Sequence, residues 1–134
     1  MTGRGARRVA VSLIVAASAA VALGACGGGS SSSGYKEPSA APLETVNIQS
    51  GNLFFKPDKV TLSKPGVYMI RLTNSQSGSH TLVFGDKVKG FRLDVTGTGS
   101  FNQKKVDLKA GTYEFWCDVP GHKGAGMDGH ITVQ

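Results

Sequence analysis

The sequence predicts an all-β fold for residues 43–134, an antiparallel sandwich or barrel built from short strands. Apolar and polar residues alternate with a period of two in several runs, which is typical of strands with one buried face. No stretch keeps a helical apolar stripe for three turns. Turn-forming tripeptides, Lys64-Pro65-Gly66 and Lys109-Ala110-Gly111, separate neighbouring runs. Strands at this spacing are typical of sandwiches and barrels.

Eight runs are predicted as strands. In the first, Val46 and Ile48 alternate with polar neighbours, and in another, Tyr68, Ile70 and Leu72 share one face. The further runs are Asp58–Leu62, His80–Phe84, Phe91–Val95, Phe101–Leu108, Gly111–Cys117 and Gly129–Val133. Between Gly85 and Gly99 we expect a short helix or an irregular segment, because the VTGTGS tract is poor strand material.

The length and charge of the chain exclude several classes of protein. A chain of 134 residues has room for one domain and a tail, which excludes large multidomain enzymes. The net charge is +6, but Arg4, Arg7 and Arg8 lie in the first 25 residues, which hold no acidic residue. Without them, twelve basic and nine acidic residues leave a net charge of +3. That charge is too small and too scattered to predict nucleic-acid binding.

Residues 1–25 have the order of a secretory signal peptide. Three arginines precede an uncharged, mostly apolar run, Val9–Leu23, and small residues follow it. The segment Leu23-Gly24-Ala25-Cys26 resembles the lipobox of bacterial lipoproteins, in which the cysteine is lipidated and becomes the mature N-terminus. The resemblance implies a lipid on Cys26 and a place on the outer face of the cytoplasmic membrane. The alternative is a retained membrane-spanning helix.

Residues 26–42 predict a flexible linker after the anchor. From Gly27 to Pro42 the chain is mostly glycine, serine, proline and alanine, with little to bury. A linker of this composition lets a small domain turn near a membrane surface. The sequence therefore predicts a tethered domain over residues 43–134. Because Cys26 and Cys117 are the two cysteines, lipidation of Cys26 leaves Cys117 without a disulfide partner.

Three donor side chains lie five residues apart near the C-terminus. Cys117 ends the run in which Tyr113 and Phe115 share its face, and His122 and Met127 follow in the next loop. A thiolate, an imidazole and a thioether form a soft donor set, which suits copper far better than magnesium, calcium or manganese. His80 begins another apolar run. If its strand lies near that of Cys117, His80 completes a set of two histidines and one cysteine, with Met127 as a weak axial ligand.

The stretch LKAGTYEFWCDVPGHKGAGMDGHITV, together with the upstream SHTLVF, resembles the small blue copper proteins, or cupredoxins. The Cys-x4-His-x4-Met spacing is similar to that of the auracyanin and rusticyanin branches, whereas plastocyanins usually have a shorter gap between cysteine and histidine. The resemblance implies a Greek-key β-sandwich of about seven or eight strands holding one type 1 copper. It implies His80, Cys117 and His122 as strong ligands and Met127 as the long axial ligand.

The sequence also supports one prediction for each of four further residues. Thr81 stands where many relatives carry asparagine, so hydrogen bonding near the thiolate is expected to differ. Trp116 precedes Cys117 and is either part of a lateral electron-transfer patch or ordinary surface packing. Lys123, beside His122, favours an acidic partner. His130 alternates with Ile131 and Val133, which predicts a solvent-facing residue.

The predicted function is electron transfer by a membrane-tethered copper protein outside the cytoplasm. Its partners are redox proteins and, through Cys26, the lipid bilayer, and we expect a monomer. Two other classes remain open. A copper oxidase or nitrite reductase needs a second or substrate-open copper centre, for which three histidines are too few, so we expect no enzyme activity. A delivery or storage protein for copper, or a zinc protein, would use the same donors.

Overall fold

The computed structural model describes residues 34–134, which form two facing β-sheets and no α-helix. The nine strands are β1 Thr45–Gly51, β2 Phe54–Lys56, β3 Lys59–Leu62, β4 Gly66–Asn74, β5 Ser79–Phe84, β6 Arg92–Thr96, β7 Phe101–Leu108, β8 Gly111–Trp116 and β9 Asp128–Val133. The helical segments among the described residues are two three-residue 3-10 turns, Asp86–Val88 and Lys123–Ala125. No helix in this part of the protein has the length and hydrophobicity to cross a bilayer.

The first sheet has the strand order β2-β1-β4-β7 and the second the order β3-β9-β8-β5-β6. Each sheet contains one parallel pair, β1 with β4 and β3 with β9, and its other pairs are antiparallel. Uniformly antiparallel pairing was expected, but alternation within a strand carries no information on the direction of its neighbour. The prediction of an all-β Greek-key sandwich is confirmed.

Alternation of side chains builds the core between the sheets. In β4, Tyr68, Ile70 and Leu72 are buried, while their neighbours along the strand are only partly buried. The eight predicted runs all contain strands. The sequence missed β2, which has three residues and is too short to show a period. The expected short helical or irregular segment between Gly85 and Gly99 contains the 3-10 turn Asp86–Val88 and, after it, the strand β6.

Residues 34–42 have no regular secondary structure, yet they pack on β7. The Tyr35 hydroxyl donates a hydrogen bond to the Lys105 carbonyl (2.9 Å), and the Lys105 N–H donates to the Glu37 carboxylate (2.9 Å). The Tyr35 ring also meets Phe91 edge to face, with 5.2 Å between centroids. Tyr35 and Glu37, which lie within the predicted linker, thus contact β7 and the core. Composition alone could not reveal that one aromatic ring would pack against the core. The rest of the predicted linker, the signal peptide and Cys26 lie outside the described residues.

The strands β5 and β8 bring two distant parts of the chain to the same end of the sandwich. They are antiparallel neighbours, with Val83 opposite Trp116 and Phe84 opposite Phe115. Because antiparallel neighbours run in opposite directions, the start of β5 and the end of β8 lie at the same end of the sheet. His80 lies at the start of β5, and Cys117 directly follows β8. This pairing fulfils the condition that the sequence set for His80 to approach Cys117.

Candidate metal centre

Three donor side chains converge at this end of the second sheet. One ligand atom each from His80, Cys117 and His122 lie within 4.8 Å of one another. The Cys117 sulfur and the His122 Nδ1 are 3.4 Å apart, and the two imidazole centroids are 5.2 Å apart. Cys117 is fully buried and has no disulfide partner. Residues separated by 37 positions in the chain are therefore placed around one point.

The loop between β8 and β9 folds back on itself to hold two of these donors. The His122 N–H donates to the Val119 carbonyl (3.0 Å), and the Met127 N–H donates to the His122 carbonyl (3.0 Å). The Cys117 N–H in turn donates to the Met127 carbonyl (3.0 Å). Gly126 ends the short 3-10 turn with φ of 93°, a left-handed conformation that favours glycine. Backbone hydrogen bonds thus fix the spacing of all three loop donors.

Met127 is fully buried at the end of this loop. It packs with the core cluster that also contains Cys117. Its backbone is hydrogen-bonded to the backbone of both Cys117 and His122. The loop therefore places the fourth predicted residue beside the converging donors.

The two ring nitrogens of His80 distinguish this cluster from an ordinary buried histidine. His80 is 4 % exposed, and within residues 34–134 its Nδ1 and Nε2 are the buried side-chain polar atoms without a hydrogen-bond partner. An unsatisfied buried polar group costs about 1–3 kcal/mol. Burial, and to a smaller degree the facing His122, lowers the pKa of His80 below 6.5. A neutral ring with a free nitrogen beside a thiol and a second imidazole fits a bound metal ion.

Thr81 contacts the sulfur from the β5 side. Its backbone N–H donates to the Cys117 sulfur at 3.4 Å, and its hydroxyl oxygen lies 3.6 Å from the same sulfur. The hydroxyl also donates to the Asp118 carboxylate at 2.7 Å and accepts the Asp118 N–H at 2.9 Å. Thr81 thus links β5 to the residue that follows the cysteine.

Asp118 and Arg92 are parts of this site that the sequence did not reveal. The Arg92 guanidinium donates to the second carboxylate oxygen of Asp118 and, through Nε, to Asp94 at 2.8 Å. Burial alone would raise the pKa of Asp118, but hydrogen bonds from Arg92 and Thr81 hold that pKa below its usual value. No sequence signal links these residues, because Arg92 lies on β6 and Asp118, 26 positions later in the chain, lies in the loop after β8, and β6 and β8 are not hydrogen-bonded neighbours.

An open depression at the surface lies over the two imidazoles. His80 is almost completely buried beneath it, and His122 is partly exposed. Apart from these two histidines, the residues lining it are Asn52, Gln76, Ser77, Gly78, Ser79, Thr98 and Val119. None of those residues carries a charge, so the side chains that surround the two imidazoles are uncharged.

A charged cluster lies on the other side of β8. The Lys123 ammonium sits 3.7 Å from the centroid of the Trp116 ring and pairs with the Glu114 carboxylate at 3.0 Å. Glu114 therefore offsets the positive charge of Lys123, the residue from which the sequence predicted a preference for an acidic partner. His130 is exposed on β9 opposite Glu114, as its alternation predicts.

The fold and the donor set together define a small β-sandwich with one buried cysteine–dihistidine metal site. Residues 44–134 match the family of copper binding proteins, plastocyanin/azurin family. The chain belongs to this family, and the site of His80, Cys117 and His122, with Met127 beside it, fits one type 1 copper.

Two curated relatives agree with the family assignment. The chain is 34 % identical over 113 residues to plastocyanin from Nostoc punctiforme, which covers 71 % of this chain and 78 % of the relative. It is 35 % identical over 98 residues to plastocyanin from Scenedesmus fuscus, covering 66 % of this chain and 95 % of the relative.

Two solved structures share the fold. The structure of auracyanin B aligns with a TM-score of 0.59 at 21 % identity, over 73 % of this chain and 94 % of that one. The crystal structure of dithionite-reduced auracyanin from the photosynthetic bacterium Roseiflexus castenholzii aligns with a TM-score of 0.59 at 20 % identity, over 70 % and 99 %.

Proposed function

We propose that this protein is a one-electron carrier with a single type 1 copper, anchored by a lipid on Cys26 at the outer face of the cytoplasmic membrane. It passes electrons between redox partner proteins and catalyses no reaction itself. The observation that carries this proposal is the convergence of a thiol and two imidazoles around the partnerless ring nitrogens of His80. A copper ion held there supplies one-electron exchange between Cu(I) and Cu(II).

In this proposal His80, Cys117 and His122 would be the strong ligands of the copper, and Met127 would be a weak fourth ligand. Such a site lies between the geometries that Cu(I) and Cu(II) prefer, so little rearrangement accompanies electron transfer. Backbone hydrogen bonds of the β8–β9 loop and the strand β5 keep the donors in place. These hydrogen bonds and this strand pairing support a carrier that must change oxidation state without moving its ligands.

His122 is the proposed point of electron exchange with a partner. Its ring is partly exposed in the neutral depression, whereas His80 and Cys117 are buried. A partner that docks there meets amide, hydroxyl and Val119 side chains and no fixed charge. We therefore expect contacts at this surface to depend on shape and hydrogen bonding more than on electrostatic steering.

Voltammetry of the copper-loaded protein tests the carrier function. We expect a reversible one-electron couple, and retention of Cu(I) when a Cu(I) chelator competes for it. A delivery protein would instead release Cu(I) to the chelator. Loss of the metal on reduction would therefore contradict the carrier and favour delivery or storage.

Fractionation of a bacterial host that expresses the full chain tests the anchor. We expect the wild type in the membrane fraction. Cys26→Ser should appear in the soluble fraction or as an unprocessed precursor, because serine has no sulfur with which to form a thioether bond to the lipid. Cys117→Ser is the matched control, since it removes the other cysteine and should remain with the membrane. Incorporation of labelled fatty acid identifies the lipid. A Cys26→Ser protein that is processed normally and still bound to the membrane would contradict the proposal.

A further inference from the structure

The Thr81 hydroxyl lies between two acceptors that it cannot serve at once. Its oxygen is 2.7 Å from a carboxylate oxygen of Asp118 and 3.6 Å from the Cys117 sulfur. A hydroxyl group has one proton to donate. Its acceptor side is also engaged, because it receives the Asp118 N–H at 2.9 Å. The position of that proton decides how many hydrogen bonds the sulfur receives.

The distances favour the carboxylate. A hydrogen bond to an ionised acceptor is about twice as strong as a neutral one, and 2.7 Å is near the optimum for a hydroxyl donor. At 3.6 Å the contact with sulfur is long. The backbone N–H of Thr81, at 3.4 Å, then remains the hydrogen-bond donor to the sulfur from this strand.

Arg92 holds the carboxylate in position for this role. Its guanidinium contacts the Asp118 oxygen that Thr81 does not use, so both carboxylate oxygens have donors. Arg92 is itself oriented by Asp94, which lies opposite Thr81 in the pairing of β5 with β6. Arg92 and Asp118 are about one-third exposed, whereas Thr81 is buried. The buried hydroxyl of Thr81 thus connects the partly exposed ion pair of Arg92 and Asp118 to the Cys117 sulfur.

We propose that Asp118, oriented by Arg92, is a positioning residue that accepts the hydrogen bond of the Thr81 hydroxyl, so that this hydroxyl does not donate a second hydrogen bond to the Cys117 sulfur. This inference rests on the proposed copper site. Hydrogen bonds to the cysteine sulfur tune the potential of such a site. A thiolate that receives fewer of them donates more charge to the metal, which stabilises Cu(II) and lowers the potential.

A double-mutant cycle with Thr81→Val and Asp118→Ala in the copper-loaded full chain tests this role. Asp118→Ala frees the hydroxyl to turn to the sulfur. We expect a higher potential and a shift of the thiolate-to-copper band to shorter wavelength, because a hydrogen bond lowers the energy of the sulfur electrons. In the Thr81→Val background the same replacement should shift both quantities much less, because no hydroxyl remains.

Two further variants separate the hydrogen bond from other effects of the carboxylate. Glu114→Ala removes the same charge from an exposed carboxylate on β8 that pairs with Lys123 and has no hydrogen bond to Thr81, Arg92 or Asp118, and it should leave the band in place. Thr81→Ser keeps a hydroxyl and should restore the sensitivity to Asp118→Ala. Equal effects of Asp118→Ala with and without the hydroxyl would overturn the proposal, because Asp118 would then act by charge or loop packing alone.

Thr81→Val alone gives an independent test if Asp118→Ala does not hold copper. The hydroxyl does not serve the sulfur in our proposal, so its removal should not lower the potential or move the band to longer wavelength. Either change would overturn the inference. Proton NMR of the reduced and metal-free protein adds a readout free of redox chemistry, since the Thr81 hydroxyl resonance should move on loss of Asp118. Failure of the proposed function appears differently, as a wild type with no such band and no reversible couple.

Discussion

Replacing Cys117 with serine is expected to abolish the intense visible absorption of the copper-loaded protein. The absorption arises from charge transfer between a soft thiolate and Cu(II), and a serine hydroxyl is neither soft nor ionised near neutral pH. The replacement is small, so the buried end of β8 should accept it, but the strongest donor is lost. We expect at least a tenfold fall in absorbance and weaker binding of copper.

Optical and electron paramagnetic resonance spectra of the copper-loaded protein measure this effect. His130→Ala is the control, because it removes an exposed histidine on β9 that lies outside the donor cluster. We expect its spectrum to match the wild type. A Cys117→Ser protein that kept the band, or a His130→Ala protein that lost it, would show that the metal lies elsewhere.

Phe115→Ala is expected to cause the largest loss of folding stability, about 3–5 kcal/mol. The ring is fully buried in β8 and packs edge to face against Phe55, with 5.3 Å between centroids, and against Phe84 at 6.3 Å. Alanine leaves a cavity at the centre of the sandwich, between side chains of both sheets. The free energy of unfolding of small domains is about 5–15 kcal/mol. In a domain at the lower end of that range, this loss would be close to the entire free energy of unfolding.

Urea denaturation of the full chain, at equal copper loading, measures the difference. Phe101→Ala makes the same chemical change at a ring that is 54 % exposed. It loses mainly the contact with the Arg71 guanidinium, which lies 3.9 Å from the ring centroid, so about 1 kcal/mol is the expected cost. Similar losses of unfolding free energy for the two variants would mean that burial of the Phe115 ring does not stabilise the core as expected.

Local sequence was sufficient where the chemistry is local. Alternation in β4 predicted which side chains are buried, because the period of a strand is a property of its own residues. Cys117, His122 and Met127 lie on one loop, so their spacing alone indicated a copper site. His80 needed a long-range pairing, and its place depended on the adjacency of β5 and β8.

The contacts that the sequence could not predict join residues that are distant in the chain. The parallel pairings of β1 with β4 and β3 with β9 depend on how the chain crosses between sheets. Arg92 and Asp118 meet because both flank β5, and neither residue type is distinctive by itself. Glu114 neutralises Lys123 across the start of the loop, which a count of nearby charges would not reveal.

The attachment of Tyr35 and Glu37 to Lys105 has a consequence for solubility. β7 is an outer strand of the first sheet, and such strands present unpaired N–H and C=O groups that can recruit a strand from another molecule. At Lys105 both groups are already occupied, one by the Glu37 carboxylate and the other by the Tyr35 hydroxyl. The segment before the first strand thus covers the edge strand β7 at Lys105. A version shortened to begin at Leu43 would leave the N–H and C=O groups of Lys105 free to pair with a strand of another molecule.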